Sequence, residues 1–181
     1  YTTVVFGFEH VLRLVPDSAW DGPSPCEGWT TRQLAGHAMG VVNNVAARAG
    51  VGDNVDAFGD LDAIAGDDPV ATFRGIRNRY LEATDQPGAL QRTVTSSVGE
   101  MTLDRFIGMM IADTLVHTWD LAAAGGVAVE LDPDAVRHVY DDYRSRDEAA
   151  MRKPGRFDPV VEVGADATEQ DRLIAFAGRD P

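Results

Sequence analysis

The sequence predicts an all-α fold, a four-helix bundle with a short C-terminal helical appendage. Apolar residues recur at helical spacing in several long segments. Loops that are rich in proline and glycine separate these segments. One segment, from about Thr102 to Ala124, is apolar almost all round. Such a helix is expected at the centre of a bundle, where neighbouring helices cover every face.

The first two predicted helices lie before residue 50. The first ends at Pro16, because proline disrupts a helix interior, and its apolar stripe is Val4, Phe8, Val11, Leu12 and Val15. Thr30 is a predicted N-cap of the second helix and forms a capping box with Gln33. This helix is expected to end at Gly50. Its apolar stripe is Leu34, His37, Ala38, Val41 and Val45.

The middle of the chain supplies two more helices. Residues 50–66 have low hydrophobicity and are interpreted as a linker, and a third helix is expected from about Asp68 to Asp85. The segment TVTSSVGEM at 93–101 is rich in β-formers but short, so we interpret it as an ordered loop or a single extended segment. The fourth helix follows and ends at Gly125 and Gly126.

The appendage begins with a fifth helix, for which Asp132 is the predicted N-cap and Pro133 the first residue. An extended segment, DPVVEVGAD, and a short helix near Thr168–Ala177 complete the chain. No internal repeat or domain linker interrupts the sequence, so residues 1–181 are expected to form a single domain.

Composition excludes several classes of function. The net charge is −13, with 29 acidic against 16 basic residues. This balance repels phosphate backbones and anionic lipid, so we expect no nucleic acid or membrane partner. No apolar run approaches the ~20 residues of a membrane span. The one cysteine, Cys26, excludes an intrachain disulfide and is compatible with the reducing cytoplasm, where we expect the protein to act.

A constellation of titratable residues lies on two apolar helices. Asp113 and His117 are separated by four residues and share one helix face, and His37 lies on the apolar stripe of the second helix. A buried carboxylate needs a compensating partner. A divalent cation bound by two imidazoles and one carboxylate would satisfy all three groups and leave coordination positions open. Alternatively, Asp113 bonds His117 or a hydroxyl, and His37 is a satisfied core histidine.

Two motifs resemble a known family. PSPCEGWTTRQLAGHAMG and LVHTWDLAAAGG resemble the DinB-like superfamily, in its branch related to the N-terminal domain of mycothiol-dependent maleylpyruvate isomerase. The closing VEVGADATEQDRLIAFAGRDP resembles uncharacterised actinobacterial members of that branch. The resemblance implies an up-down four-helix bundle that holds a divalent metal, zinc or alternatively nickel or another metal, through His37, Asp113 and His117.

The chain departs from the isomerases in two respects. They usually carry Glu where this chain has Asp113, which is one methylene shorter, and a second domain follows their bundle. Only 55 residues follow Gly126, so we do not expect that domain or the isomerisation of maleylpyruvate. The resemblance implies instead a metal-dependent transferase or isomerase that uses a small thiol, such as mycothiol, and another electrophile. The alternative is a non-catalytic bundle that binds a metal or ligand, and a homodimer is left open.

Other residues have competing interpretations. Cys26 is either a nucleophile with His37 as its base or a small packing residue, and we expect packing because no base or cation adjoins it in the sequence. Trp29 lines a pocket or, as we expect, packs as a staple where the second helix begins. Asp120 either orients a ligand histidine or bonds a group of another helix. His10 and His138 lie on polar faces and are expected to be solvated.

Overall fold

The computed structural model describes residues 1–96, 98–152 and 157–181, and of residues 149 and 150 only the backbone. The described chain is mostly helical with a small two-stranded sheet. It divides into two compact units, an N-terminal unit of Tyr1–Ala128 and a C-terminal unit of Val129–Pro181. Compactness does not decide whether the units unfold together, so the single domain of residues 1–181 stays a prediction.

The N-terminal unit is built from helices that pack on one another. Helix α2 contacts α4 and α5, and α1 contacts the same two helices. The rings of Phe8 on α1 and Phe73 on α4 meet edge to face at 4.9 Å in the core. The mostly helical fold is confirmed, whereas the four-helix bundle itself stays a prediction. The helices are α1 (Thr2–Leu12), α2 (Thr31–Arg48), α3 (Leu61–Ala65), α4 (Pro69–Thr84) and α5 (Leu103–Gly125).

Capping residues begin α2, α4 and α5 close to the predicted positions, whereas α1 has no side-chain cap and ends at Leu12, before the predicted end at Pro16. Thr30 accepts a hydrogen bond from the Gln33 amide, and the Gln33 side chain accepts one from Thr30, which completes the capping box of α2. Asp68 caps α4, which begins at proline. Thr102 caps α5, and Gly126 ends it with a φ of 64°, a conformation that favours glycine.

The segment at 93–101 was expected to be a loop or a single extended segment, and this is wrong. It forms an antiparallel hairpin of β1 (Thr93–Ser96) and β2 (Gly99–Thr102), in which Thr93 pairs with Thr102 and Ser96 with Gly99. The Ser96 hydroxyl donates to the Gly99 carbonyl, and Gly99 has a φ of 111°. The strands are each too short to be recognised singly, and only their pairing makes them a hairpin.

The expected linker at 50–66 also contains regular structure. Helix α3 occupies Leu61–Ala65, and the Asp60 side chain caps it by accepting from the Ala63 amide. Leu61 and Ala65 are buried. A helix of this length has too few apolar residues for periodicity to detect, and its stability comes from packing against α2.

The C-terminal unit contains the two predicted helices. They are α6 (Pro133–Ser145), capped by Asp132, and α8 (Glu169–Phe176), capped by Thr168, and they pack together. A further short helix, α7 (Glu148–Met151), was not predicted. Residues 158–164 carry no regular secondary structure, although the Val161 amide donates to the Ala175 carbonyl. Within the described ranges, no helix combines the length and apolar character that crossing a membrane requires.

Candidate metal centre

Helices α2 and α5 bring three predicted site residues together. His37 lies in the second turn of α2 and is 2% exposed, while Asp113 and His117 lie one turn apart on α5. The Asp113 Oδ2 atom is 3.5 Å from His37 Nε2 and 3.9 Å from His117 Nε2. One ligand atom from each residue lies within 4.8 Å of the other two. The two imidazole rings are nearly perpendicular, with centroids 5.0 Å apart. The predicted convergence is therefore present, and metal binding by it stays a prediction.

On each histidine ring, a hydrogen bond at Nδ1 determines whether Nε2 carries a proton or a lone pair. His37 Nδ1 is 2.6 Å from the Ala57 carbonyl oxygen, which can only accept, so Nδ1 carries a proton. His117 Nδ1 is 2.9 Å from Asp120 Oδ2 and donates to this carboxylate. In the neutral rings both Nε2 atoms therefore present lone pairs towards Asp113. Metal-binding histidines characteristically have this kind of outer partner.

The cluster of acceptors fits a bound cation. Two Nε2 lone pairs facing one carboxylate repel each other unless a proton or a metal ion lies between them. Asp113 Oδ1 is buried and, within the part of the chain that the structure describes, has no hydrogen-bond partner. A buried carboxylate oxygen without a partner is costly. The donor set of two imidazoles and one carboxylate is one that zinc and other divalent metals accept.

The pKa shifts reflect the same electrostatic arrangement. Burial lowers the pKa of His37, but Asp113 and the Ala57 carbonyl favour the imidazolium and the pKa is raised overall. Burial raises the pKa of the Asp113 carboxyl, and the neighbouring His117 and His37 more than offset this, so that its pKa is lowered. Positive charge is therefore favoured between these side chains.

The segment before α3 holds the Ala57 carbonyl against His37. The Asn44 side chain makes two hydrogen bonds to the backbone of Val55, one to its amide and one to its carbonyl. Gly40 leaves room for this segment, because a Cβ there would lie 3.1 Å from the Ala57 Cβ. Sequence reasoning missed these residues, although two glycines four apart in α2, Gly36 and Gly40, indicate close approach of a backbone.

Cys26 and Asp120 lie on the Nδ1 side of His117. Cys26 Sγ is 3.8 Å from His117 Nδ1 and 3.5 Å from Asp120 Oδ2. Cys26 therefore has a base beside it in space although none adjoins it in the sequence, because the fold brings together residues that are 91 positions apart. The base beside it is His117 rather than His37. Asp120 is fully buried and contacts His117, as one of its two interpretations required, and metal binding by His117 stays a prediction.

Two aromatic rings lie against His37. The Trp29 ring centroid is 4.9 Å from that of His37, and the Phe58 centroid is 4.7 Å from it. Phe58 is 73% exposed, whereas Trp29 is half-buried. Trp29 thus lies beside the candidate centre, and its two interpretations stay predictions, while Phe58 was not singled out in the sequence. His10 and His138 are exposed, as expected.

Fold and site together define a mostly helical protein with a candidate three-ligand metal centre in its N-terminal unit. Residues 7–122 match the family model described as "Mycothiol maleylpyruvate isomerase N-terminal domain". The chain belongs to this family, and the matched range contains every residue of the candidate centre.

Two relatives have been found in Mycobacterium tuberculosis strains, the uncharacterized proteins MT0763 and Rv0738. Each is 30% identical over 173 residues, which cover 95% of this chain and 91% of the relative. A crystal structure of a variant of the mycothiol-dependent maleylpyruvate isomerase is similar with a TM-score of 0.48 and 16% identity. That similarity covers 77% of this chain, which spans 65% of the isomerase.

Proposed function

We propose that this protein is a divalent-metal-dependent thiol transferase or isomerase that uses mycothiol or a related small thiol. The observation that carries the proposal is the paired orientation of His37 and His117. Each ring is held by an outer hydrogen bond and presents Nε2 to Asp113. Membership of a family named after a mycothiol-dependent enzyme domain supports the thiol as co-substrate.

His37, Asp113 and His117 are the proposed ligands, and zinc is the metal that we expect, with nickel or another divalent metal as the alternative. A ligand set of two histidines and one carboxylate leaves coordination positions open for a substrate. A divalent cation in such a site lowers the pKa of a bound thiol and supplies a thiolate near neutral pH. Asp113 is the most accessible of the three side chains, with 33% exposure against 12% for His117 and 2% for His37, so we place the thiol on its side.

Trp29 and Phe58 are proposed to contact the electrophile. A phenylalanine that is 73% exposed beside a polar cluster leaves apolar surface in water, and a bound substrate would cover it. Asp120 and the Ala57 carbonyl act as positioning groups, since they hold the two imidazoles in the required orientation without contacting the substrate.

The proposed reaction begins with addition of the thiolate sulfur to an electrophilic carbon. A carbon–sulfur bond forms, the π electrons of the substrate move to the adjacent atom, and the proton given up by the thiol is taken there. A transferase releases this adduct. An isomerase reverses the addition after rotation about the new single bond and regenerates the thiol. Because the nucleophile is an external thiol, the protein itself has to bind the thiol and the electrophile, orient them towards each other and exclude water.

Assays of metal content and thiol conjugation on the same preparations test this function. We expect that His117→Ala and chelator treatment each abolish conjugation of mycothiol, bacillithiol or glutathione to a panel of electrophiles, with unchanged helicity by circular dichroism. His10→Ala is the matched control, because this exposed histidine lies outside the site. Equal rates in metal-loaded and chelator-treated protein would contradict the mechanism.

Stoichiometric metal without turnover on any thiol would favour the alternative, a non-catalytic bundle that binds a metal or ligand. We propose further that the long helices of the N-terminal unit form the up-down four-helix bundle of the superfamily and that the protein acts in the cytoplasm, as a monomer or a homodimer. Small-angle scattering would distinguish the two oligomeric states. No nucleic acid or membrane partner is proposed.

A further inference from the structure

A second group of potential metal ligands lies on the other side of the His117 ring. Cys26 Sγ is 3.8 Å from His117 Nδ1 and 3.5 Å from Asp120 Oδ2. His117 Nδ1 and Asp120 Oδ2 are 2.9 Å apart. This group and the first, of His37, Asp113 and His117, have only His117 in common. Nδ1 belongs to the second group, whereas Nε2 belongs to the first.

The separations are those of ligands around one small cation. Zinc–sulfur bonds of about 2.3 Å and zinc–nitrogen bonds of about 2.0–2.1 Å at a tetrahedral angle place ligand atoms about 3.3–3.6 Å apart. The two contacts of Cys26 Sγ are within a few tenths of an ångström of this range. Only the contact between His117 and Asp120, which is a hydrogen bond in this structure, would need to lengthen slightly.

The donor atoms differ in chemistry from those of the first group. A thiolate is a soft ligand and selects zinc, cadmium or copper(I), whereas imidazole and carboxylate accept a wider range of metals. Asp120 is completely buried and Cys26 half-buried, so a thiolate beside this carboxylate would be two negative charges in contact. A thiophilic cation would neutralise both.

We propose that Cys26, His117 and Asp120 form a second metal site, specific for thiophilic cations, which shares the His117 ring with the first. The loop that carries Cys26 is held in place for this role. The Ser24 hydroxyl donates its one proton to the Trp29 carbonyl at 2.9 Å, lies 3.2 Å from the Cys26 carbonyl and accepts from the Cys26 amide, so the thiol is held on an ordered turn. The site was not recognised in the sequence, because Cys26 precedes its other two ligands by 91 and 94 residues.

Sharing one ring makes the two sites antagonistic. A neutral imidazole has a single nitrogen lone pair for a metal. His117 therefore binds a metal either through Nε2 at the first site or through Nδ1 at the second. When a thiophilic metal binds Cys26 and His117 Nδ1, the ring proton lies on Nε2, which faces Asp113. Nε2 then has no lone pair for a metal, and the first site loses a ligand. The second site thus offers a means by which cadmium or excess zinc inhibits whatever the first site does.

Cadmium titration of the His37→Ala variant tests the second site without depending on the first. The chain has one cysteine, so any thiolate-to-cadmium charge-transfer absorption in the ultraviolet reports Cys26. We expect this absorption to saturate at one cadmium per chain. Adding Cys26→Ser to the same variant should abolish the absorption and weaken cadmium binding by more than about 100-fold, since loss of an outer partner alone costs 10–100-fold.

Controls separate the site from adventitious thiol binding. His10→Ala in the same background should leave the absorption unchanged, whereas His117→Ala should remove it while Cys26 is still present. Absorption that survives His117→Ala, or that saturates at one cadmium per two chains, would overturn the proposal, and so would its absence from a folded His37→Ala variant. If Cys26→Ser fails to fold, Cys26→Ala serves instead. Failure of the first site would appear separately, as equal zinc content in the wild-type protein and the His37→Ala variant.

Discussion

His117 has a different partner at each ring nitrogen, and this is the residue on which the candidate chemistry depends most. Its Nε2 faces Asp113 at 3.9 Å, and its Nδ1 donates to Asp120 at 2.9 Å. The carboxylate of Asp120 fixes the ring orientation and the tautomer that leaves the Nε2 lone pair facing Asp113. Sequence spacing identified the Asp113–His117 pair and left the role of Asp120 open between two interpretations.

Asp120→Asn tests whether Asp120 acts by positioning His117. The amide oxygen still accepts from Nδ1, but it lacks the charge that makes Nε2 a better ligand. We expect zinc affinity, measured by competition with a chromophoric chelator, to fall about 10–100-fold. Asp134→Asn, on a side chain that is 90% exposed, is the matched control and should leave affinity unchanged. Unaltered affinity in folded Asp120→Asn protein would show that the contact has no effect on binding.

Glu9 is a charged residue of α1 whose side chain is buried. It is 3% exposed, and its carboxylate accepts hydrogen bonds from Arg13 and Arg77. Burial raises the pKa of Glu9, but the two guanidinium groups outweigh it and the pKa is lowered. A carboxylate whose pKa is lower in the folded state stabilises the fold above its unfolded pKa, and this contribution disappears as the pH falls through the folded pKa.

Glu9→Gln should therefore destabilise the protein in a pH-dependent manner. At pH 7 we expect a loss of about 1.5–3 kcal/mol in the free energy of unfolding, the usual contribution of a hydrogen bond to a charged group. The difference from wild type should shrink below about pH 4, near the ordinary pKa of glutamate. Urea unfolding across this pH range measures it. Asp142→Asn, which breaks an exposed pair with Arg146, is the control and should cost less than about 1 kcal/mol at any pH. A difference for Glu9→Gln that is independent of pH would exclude the ionic explanation.

At the scale of elements, α2 works as a platform for the segment that covers His37. Gly36 lies directly under Leu61, where an added Cβ would be 2.0 Å from the Leu61 carbonyl oxygen. No rotamer change relieves a clash with backbone, so α3 must move. The ends of α2, α4 and α5 and the capping box of α2 were predictable, because capping is a local property of a few adjacent residues. Helix α3 was not, because its stability comes from packing against the distant α2, and the hairpin was not, because each of its strands is too short to be recognised singly.

Gly36→Ala should destabilise the protein and disturb the centre together. We expect a loss of about 1–3 kcal/mol, as for other overpacking substitutions, and weaker zinc binding as the Ala57 carbonyl shifts away from His37. Gly108→Ala on α5 is the matched control, since a Cβ there meets nothing within 4 Å. That variant should be more stable than wild type by about 0.5–1 kcal/mol. Chemical denaturation and zinc titration of both variants measure these effects, and equal stability of the two would refute the close-approach argument.

At the scale of the whole molecule, every ligand of both candidate sites belongs to the N-terminal unit, Tyr1–Ala128. Binding to the folded state alone stabilises it by an amount that grows with ligand concentration. An unfolding transition that shifts when metal is added is therefore the unfolding of this unit. It also tests whether residues 1–181 behave as the single domain that the sequence predicts.

Calorimetry with and without zinc should show one cooperative transition that shifts as a whole. At a free zinc concentration of 100 times Kd the stabilisation is about 2.7 kcal/mol. His117→Ala, which removes a ligand common to both sites, should show no shift. Two transitions, of which zinc moves only one, would show that the two units unfold independently and would refute the single-domain prediction.

The sequence by itself determined the helical class, the limits of α2, α4 and α5 to within two residues, and the identity of the three proposed ligands. Helical periodicity and capping are local, so the spacing of Asp113 and His117 and the apolar stripe around His37 were sufficient. Membership of the family was also visible in short motifs that include Cys26, Trp29 and His37.

Only the tertiary structure decided what surrounds those ligands. It brought Cys26 to His117 across 91 residues, placed the Ala57 carbonyl on His37, and exposed Phe58 beside the His37 ring. None of these contacts follows from periodicity, because each joins a loop to a helix far away in the chain. The direction in which a loop side chain points is determined by the packing of its whole segment, and that packing becomes defined only when the helices have assembled.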